Sequence, residues 1–297
     1  MLGLHLIAPT LNYNDRDLTV YIVKRMWAAG IVTVLIVILA PLIIPDPHHL
    51  LVFRVFGFES TLWAVASSLV RVSVLMSLFY LGPLVSRLCL FYDDLSLEAR
   101  RGGAGASVRT SSYHYLALLG AVAKKHFAPK MPYDENELYQ MLRNLVAAPI
   151  SEEIVFRGVM VAVLRPFYKG TWGIVFVAPL FFAPAHLHHA LVKMRSGFHL
   201  ADIVFESLLQ LTYTYIFACI ATLFLLRTGN IWAPILAHMI CNYVGLPNLG
   251  FMSKEQGGAL SAYYSYRWYL LALHGIGLVL FVVCVLPFTE GLNKVLM

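Results

Sequence analysis

The stretch NLVAAPISEEIVFRGVMVAVL, residues 144–164, sets two adjacent carboxylates and an arginine into an apolar run. It forms most of the segment Leu138–Leu164, which is long enough to cross a membrane, since a span takes about 20 apolar residues. Charged side chains at membrane depth are costly, so they usually line a cavity, pair with one another or mark a functional site. We therefore expect the chemistry of the protein at Glu152, Glu153 and Arg157.

The composition of the whole chain is typical of a polytopic membrane protein. Of its 297 residues 59% are hydrophobic and 13% are charged, whereas soluble domains have about 25% charged residues. Because apolar segments run through the whole chain, we expect one integral-membrane domain over residues 1–297. The net charge of +6 fits loops that face anionic lipid, so no nucleic-acid partner is predicted. The cysteines show no CxxC spacing, which indicates neither a disulfide framework nor a zinc cluster.

Seven apolar segments are long enough to be spans, and an eighth is possible. The segment Tyr113–Val122 fits either a short span or an interfacial helix. A flexible loop is predicted from Arg100, Arg101, Gly102, Gly103, Gly105 and Arg109. The prediction is an all-α polytopic membrane protein with about seven to eight transmembrane helices enclosing an intramembrane cavity. The seven segments are Trp27–Ile44, Thr61–Tyr80, Leu138–Leu164, Trp172–Leu187, Ile203–Leu226, Ile231–Leu246 and Trp268–Pro287.

The charged residues of Leu138–Leu164 have a helical spacing that separates their roles. Glu153 and Arg157 are four apart, so they share a helix face within ion-pairing reach, while Glu152 is turned about 100° away from Glu153. The arginine can thus hold one carboxylate while the other stays available as a general base for water. Alternatively, both glutamates only compensate Arg157 and neighbouring helices. This segment alone does not separate the two interpretations.

Two further polar clusters lie on later apolar segments. His186 and His189 are three apart and can share a face; they could be structural, lie at the water interface or bind a metal. His238 and Asn242 are four apart in Ile231–Leu246. Both can donate hydrogen bonds to an oxyanion, although polar side chains in membranes often only join helices.

Three polar clusters on three apolar segments are hard to explain by packing alone. Together they indicate a hydrolytic site within the bilayer. Ser151 has no GxSxG context and no HExxH sequence occurs, so neither a serine-hydrolase elbow nor the usual zinc-protease helix is present.

The same residues resemble the motifs of the CAAX-processing (CPBP) membrane proteases, and most closely the eukaryotic type II CAAX prenyl endopeptidases. The motifs, in chain order, are Glu152-Glu153-x-x-x-Arg157, Phe182-x-x-x-His186 and His238-x-x-x-Asn242. The longer similar strings are Ala148-Pro149-Ile150-Ser151-Glu152-Glu153, Pro179-Leu180-Phe181-Phe182, Ala185-His186-Leu187-His188-His189, Arg227-Thr228-Gly229-Asn230 and Cys241-Asn242-Tyr243-x-Gly245-x-Pro247. The similarity covers roughly Asn144–Pro247, with a catalytic core at about 138–250.

The resemblance implies an enzyme of about eight transmembrane helices with a named role for each motif residue. Glu152 would activate water together with His186, and His238 with Asn242 would hold the oxyanion of the tetrahedral intermediate. The supporting residues would be Glu153, Arg157, Phe182 and His189. The family is glutamate-dependent, so neither a cofactor nor a metal is predicted.

The resemblance also implies the substrate and the location. The enzyme would remove the last three residues from farnesylated or geranylgeranylated CAAX proteins, such as Ras- and Rho-type small GTPases. It would lie in the endoplasmic-reticulum membrane with its site open to lipid and to the cytosol. Two departures from the family pattern are a missing span before Asn14–Asp17 and Pro184, which would kink the helix before His186.

Two alternatives remain open from the residues themselves. One is a zinc-dependent intramembrane hydrolase that uses Glu152, His186, His189 and His238. The other is a non-catalytic scaffold or transporter, in which the buried polar groups form a partner site or a permeation path.

Overall fold

The structure is a computed structural model that describes residues 18–44, 61–103, 112–127, 132–253 and 262–290. Within these ranges the secondary structure is helical and contains no strand. The predicted all-α class is therefore confirmed.

The helices differ in length and regularity. Long uninterrupted helices alternate with a central region of short helical pieces joined by π and 3₁₀ turns. The α-helices are α1 Thr19–Ile43, α2 Leu62–Phe79, α3 Leu81–Gly103, α4 Ser112–Phe127, α5 Glu135–Leu142, α6 Ala148–Glu153, α7 Met160–Leu164, α8 Thr171–Val177, α9 Pro179–Phe182, α10 His188–Arg195, α11 Leu200–Thr228, α12 Trp232–Val244, α13 Ala262–Ser265 and α14 Arg267–Thr289.

Five helical segments of the described residues are long and apolar enough to cross a membrane, which supports the polytopic membrane class. The predicted spans Leu138–Leu164 and Ile231–Leu246 are also helical, but the first is broken by π turns and α12 has 13 residues. Helix α4 has 16 residues, fewer than the roughly 20 that a span takes. The five segments are Thr19–Leu42, Leu62–Phe79, Thr171–Arg195, Leu200–Thr228 and Arg267–Thr289.

The flexible loop predicted from Arg100 is wrong as far as Gly103, because α3 continues to that residue. The polar second half of α3 contacts α4: Asp94 Oδ2 lies 2.5 Å from Lys125 Nζ and 2.8 Å from His126 Nε2. The hydrogen bond from Lys125 holds the pKa of Asp94 below its ordinary value. Residues 104–111 lie outside the described residues.

The described residues form two compact units, and the chain passes between them within α2, between α4 and α5, after Tyr243 and within α14. The predicted polar clusters all belong to the first unit, and the prediction of one domain over residues 1–297 stays a prediction. The first unit comprises the described parts of 1–73, 132–243 and 288–297, and the second those of 74–131 and 244–287.

In the second unit, α14 passes very close to the end of α2. A Cβ atom at Gly277 would lie 2.5 Å from the carbonyl oxygen of Leu78 and 2.9 Å from Leu81 Cβ. Any side chain at this position would therefore push α14 away from the backbone of α2.

In the first unit, a buried asparagine fixes the start of α12. Helix α11 ends at Gly229, whose φ of 68° lies in the left-handed region that glycine adopts without strain. Asn230 then donates from Nδ2 to Ser68 Oγ at 2.6 Å and accepts the Ala233 N–H at 3.1 Å. This side chain joins the α11–α12 turn to α2 and caps the helix that carries His238.

We predict that Asn230→Ala lowers the thermal midpoint of the detergent-solubilised protein. The variant loses a helix cap worth about 1 kcal/mol together with a buried hydrogen bond worth a similar amount. Asn248→Ala is the matched control, because the exposed Asn248 side chain only accepts the nearby Gly250 N–H. Equal midpoints for the two variants, measured by a thiol-independent unfolding dye, would contradict this role for Asn230.

Candidate active site

The segment that carries the two glutamates is a helix with two π-helical interruptions. The π turns are Arg143–Ala147 and Ile154–Val159, and they flank the six residues of α6. In the first, the Ala148 N–H bonds to the Arg143 carbonyl, and the next residue, Pro149, has no N–H with which to continue the α-helical pattern. Such wide turns are frequent at functional sites, and here they bring Glu152 and Glu153 together into the interior.

Glu152, Glu153, Arg157 and His238 form a buried polar cluster. Glu153 lies at its centre and has no exposed surface. Its Oε1 lies 2.7 Å from His238 Nδ1, and its Oε2 lies 3.1 Å from Arg157 Nε. The ion pair expected from the four-residue spacing is therefore present. The same carboxylate also orients the imidazole on α12, a long-range contact that joins two of the predicted motifs.

Arg157 is fully buried and lies between aromatic rings. Its guanidinium carbon is 4.1 Å from the centre of the Phe182 ring and 5.6 Å from that of Phe217. Cation–π attraction of this kind strengthens when the site is desolvated. Its two terminal nitrogens have no hydrogen-bond partner among the described residues, so the Glu153 charge and the two rings are what stabilise this cation.

Glu152 faces the other side of the same imidazole. Its Oε2 is 4.0 Å from His238 Nε2, and both residues are buried. The two adjacent carboxylates thus approach the two nitrogens of one ring. Because Nδ1 faces the Glu153 carboxylate at hydrogen-bond distance, we assign a proton to Nδ1. The reactive nitrogen of His238 is then Nε2, on the Glu152 side.

The charges of the cluster determine how many protons it holds. Buried charges are tolerated when they compensate one another. The ionised pair of Glu153 and Arg157 is neutral, so Glu152 and His238 together are neutral when they share a single additional proton. In that state the additional proton lies either on Glu152 or on His238 Nε2.

His186 is placed beside this cluster by Phe182. It lies in the 3₁₀ segment Ala183–Leu187, where Pro184 accounts for the break in the α-helix, as its sequence predicted. The His186 ring packs edge-on against Phe182 with centres 4.9 Å apart, and it interacts electrostatically with His238 and Arg157. The His189 side chain lies outside the described residues.

Asn242 lies one turn beyond His238 and forms a second contact with the glutamate-bearing segment. Its Nδ2 donates to the Asn144 carbonyl oxygen at 2.8 Å, and both residues are exposed. Helix α12 is therefore joined to this segment at a buried position by His238 and at an exposed position by Asn242. A carboxamide has two N–H donors, so this bond uses only one of them.

Two residues of the site have no obvious signal in the sequence. Phe217, whose ring centre is 4.9 Å from that of His238, is one aromatic residue among many in apolar α11. Asn144 acts through its backbone carbonyl, which no side-chain pattern can indicate. Both are found only because α11 and α12 pack beside the glutamate-bearing segment.

The described side chains include no group of three or more His, Cys, Asp or Glu placed to hold a metal ion. The zinc alternative uses four residues, and the side chain of one of them, His189, lies outside the described residues. The predicted absence of a metal or cofactor stays a prediction.

A known protein family matches the part of the chain that contains the glutamate-bearing segment, His186 and α12. The family described as "Type II CAAX prenyl endopeptidase Rce1-like" matches residues 134–244, which include all three motifs. The chain is similar to this family over these residues.

Several proteins named CAAX prenyl protease 2 are similar to this chain over different lengths. The human protein named CAAX prenyl protease 2 is 34% identical over 150 residues, covering 50% of this chain and 43% of the human one. Its Arabidopsis thaliana namesake is 29% identical over 239 residues, covering 78% and 70%. The Caenorhabditis elegans protein of that name is 38% identical over 105 residues, covering 35% and 39%. The match thus spans less than half of the human and nematode relatives, and no solved structure gives a significant match.

We predict that Glu153→Gln and Arg157→Met each destabilise the protein more than the two substitutions combined. Removing one partner of a buried ion pair costs about 3–5 kcal/mol, because the other charge is left uncompensated, whereas replacing both is often near neutral. Thermal midpoints in detergent measure the effect. A double variant as unstable as the sum of the single variants would show that Glu153 and Arg157 do not compensate each other.

Proposed function

We propose that the protein is an intramembrane endoprotease that removes the C-terminal tripeptide from prenylated CAAX proteins. The observation that carries this proposal is the approach of Glu152 and Glu153 to opposite nitrogens of His238. That arrangement provides a base and a polarised imidazole within one buried cluster. The similar proteins named CAAX prenyl protease 2 supply the substrate class.

In the proposed reaction Glu152 is the general base. Glu152 takes a proton from a water molecule as the water oxygen attacks the carbonyl carbon of the prenylcysteine. His186, which lies on the Phe182 side of the cluster, helps to hold this water. When the tetrahedral intermediate collapses, the carbon–nitrogen bond breaks and the proton passes from Glu152 to the nitrogen of the leaving tripeptide.

His238 and Asn242 stabilise the negative oxygen of that intermediate. Preorganised donors at a developing oxyanion are often the largest contribution to catalysis. His238 donates from Nε2 only when it holds the shared proton, and Glu152 is then ionised. The state in which Glu152 is ionised and His238 is protonated at Nε2 therefore supplies the base and the oxyanion donor together. Asn242 donates through the amide N–H that does not bond to Asn144.

The supporting residues hold this arrangement together. Glu153 fixes the Nδ1 proton of His238, and Arg157 pairs with Glu153. Phe182 contacts both Arg157 and His186, so it joins the two halves of the site. His189 is included as a supporting residue from the family motif alone.

The proposed surroundings follow from the prenyl group. A prenyl chain partitions into lipid, and the described helices include several candidate membrane spans, so lipid and peptide reach the site together. We place the enzyme in the endoplasmic-reticulum membrane with its site accessible from the cytosol. Its substrates include Ras- and Rho-type small GTPases. These assignments rest on the family resemblance.

We predict that the purified protein cleaves a farnesylated CAAX peptide and leaves the unprenylated peptide intact. Glu152→Gln is expected to lower kcat at least 100-fold, because the general base is lost, and His186→Ala should lower it similarly. Ser151→Ala is the matched control: the Ser151 hydroxyl donates to the backbone carbonyls of Ala147 and Ala148, so its loss should leave kcat within a few-fold. Release of the tripeptide is measured by mass spectrometry, with and without a chelator.

Three outcomes would count against the proposal. Near-normal cleavage by Glu152→Gln would exclude Glu152 as the base. If a chelator abolishes cleavage and added zinc restores it, the result would support the zinc-dependent alternative. No cleavage of either peptide by well-folded protein would support the non-catalytic alternative.

A further inference from the structure

The imidazole of His238 is anchored by a hydrogen bond at one of its two nitrogens. Its Nδ1 lies 2.7 Å from Glu153 Oε1. Its Nε2, the proposed oxyanion donor, lies 4.0 Å from Glu152 Oε2, which is beyond hydrogen-bond distance. A ring anchored at one corner can pivot about that bond, so a second contact is needed to fix the direction of Nε2.

Phe217 makes such a contact with the face or edge of the imidazole itself. The centres of the Phe217 and His238 rings are 4.9 Å apart, and their planes are inclined at 58°. Aromatic rings at this separation are in direct contact. Phe217 belongs to α11, which carries none of the three motifs, so it reaches His238 from a different helix than Glu153 does.

The Phe217 ring also lies beside the cation that pairs with Glu153. The Arg157 guanidinium carbon is 5.6 Å from the centre of the Phe217 ring, within the range of cation–π attraction. On the other side, Glu153 contacts Arg157 at 3.1 Å and His238 at 2.7 Å. The four residues thus form a closed loop of contacts, in which no member can shift without disturbing two others.

The two phenylalanines that contact Arg157 each support one of the proposed histidines. Phe182 packs against His186 with ring centres 4.9 Å apart, and Phe217 packs against His238 at the same separation. Both phenylalanine rings lie within cation–π range of Arg157. Phe217 is therefore the counterpart on α11 of Phe182, the residue that places His186 beside the buried polar cluster.

Helix α11 is held firmly on both sides of Phe217. The Tyr215 hydroxyl donates to the Phe176 carbonyl oxygen at 3.1 Å, which joins α11 to α8. On the other side, Ala218 and Ala221 have no exposed surface, and small residues of this kind let helices approach one another closely. The Phe217 ring is therefore presented by a packed helix.

We propose that Phe217 is a positioning residue, whose ring fixes the tilt of the His238 imidazole and so keeps Nε2 directed toward Glu152 and the oxyanion. This inference rests on the proposed function and adds a residue of α11 to it. In the proposed reaction Phe217 contacts neither the substrate nor the attacking water, so it acts through His238. Its loss should slow the chemical step and leave substrate binding unchanged, because His238 contributes to the transition state.

The first test is Phe217→Leu, which removes the flat ring and keeps an apolar side chain of comparable size. Apolar replacements of similar volume are usually tolerated by the fold. The kcat for a farnesylated CAAX peptide should fall about 10- to 100-fold, because small displacements of a catalytic group have effects of this size. KM should remain within about twofold. Phe217→Tyr keeps the ring and should retain most of the wild-type kcat.

A double-mutant cycle shows whether Phe217 acts through His238. His238→Ala should lower kcat by about 100- to 1,000-fold, the usual effect of removing one oxyanion donor, and leave measurable cleavage by Glu152. Adding Phe217→Leu to His238→Ala should change kcat by no more than about twofold, since the two effects are coupled. An equal loss from Phe217→Leu in both backgrounds would overturn the inference.

Phe224→Leu is the matched control for the packing of α11. Phe224 is fully buried and lies seven residues after Phe217 on the same helix, about 10 Å along its axis. The control should lower the thermal midpoint in detergent and leave kcat within a few-fold of the wild-type value. An equal fall in kcat for Phe217→Leu and Phe224→Leu would show that any loosening of α11 slows the reaction, which overturns the inference.

A measurement on the unchanged side chain decides the matter if the Phe217 variants do not fold. Nuclear magnetic resonance of the protein with ¹³C-labelled histidine rings reports the orientation of His238, whose signal is assigned by its loss in His238→Ala. One narrow signal, shifted by the field of a neighbouring aromatic ring, is the expected result. A signal averaged over several orientations, with no such shift, would overturn the inference.

The outcomes separate this inference from the function on which it rests. An unchanged kcat in Phe217→Leu, with normal cleavage by the wild-type protein, would overturn the role of Phe217 and leave the endoprotease in place. Failure of the well-folded wild-type protein to cleave the farnesylated peptide would overturn the proposed function and this inference with it.

Discussion

A buried carboxylate needs partners, and Glu153 obtains them from two directions. Without compensation, an ionised carboxyl group in an apolar interior is among the most unfavourable features that a fold can contain. Arg157 supplies a charge from the same segment, and His238 supplies a hydrogen bond from α12. Meeting this one requirement fixes the spacing between the glutamate-bearing segment and α12. It also fixes which nitrogen of His238 is turned toward Glu152.

The rest of the site follows from that hub. Arg157 needs a surface on which to bury its planar cation, and Phe182 and Phe217 provide it. The Phe182 ring also packs against His186, which places that histidine beside the same cluster. Since Glu153 and Arg157 balance each other, Glu152 and His238 are neutral together when they hold one proton in addition to that on His238 Nδ1. In the proposed reaction His238 keeps this additional proton as the oxyanion donor, while Glu152 carries the proton of the water to the leaving tripeptide.

The sequence predicted the local features of this site and not its long-range contacts. The spacing of Glu153 and Arg157 predicted their ion pair, and the apolar segments predicted the helical membrane class. The contact of Glu153 with His238 joins residues 85 positions apart, and no local periodicity encodes it. Phe217 was missed because its sequence context is uniformly apolar. The loop expected at Arg100–Gly103 was wrong because a glycine inside a helix costs only about 1 kcal/mol relative to alanine, and α3 continues through Gly102 to Gly103. The roles of the individual catalytic residues remain predictions.

The central claim is that water, activated by Glu152 beside His238, attacks the substrate directly, with no covalent bond to the protein. A single turnover with excess enzyme in ¹⁸O-labelled water, monitored by intact-protein mass spectrometry, tests this most directly. The account predicts one ¹⁸O atom in the new carboxylate of the prenylcysteine product and an unchanged protein mass throughout the turnover. A protein species heavier by the mass of the acyl fragment, which hydroxylamine converts to a hydroxamate, would contradict it.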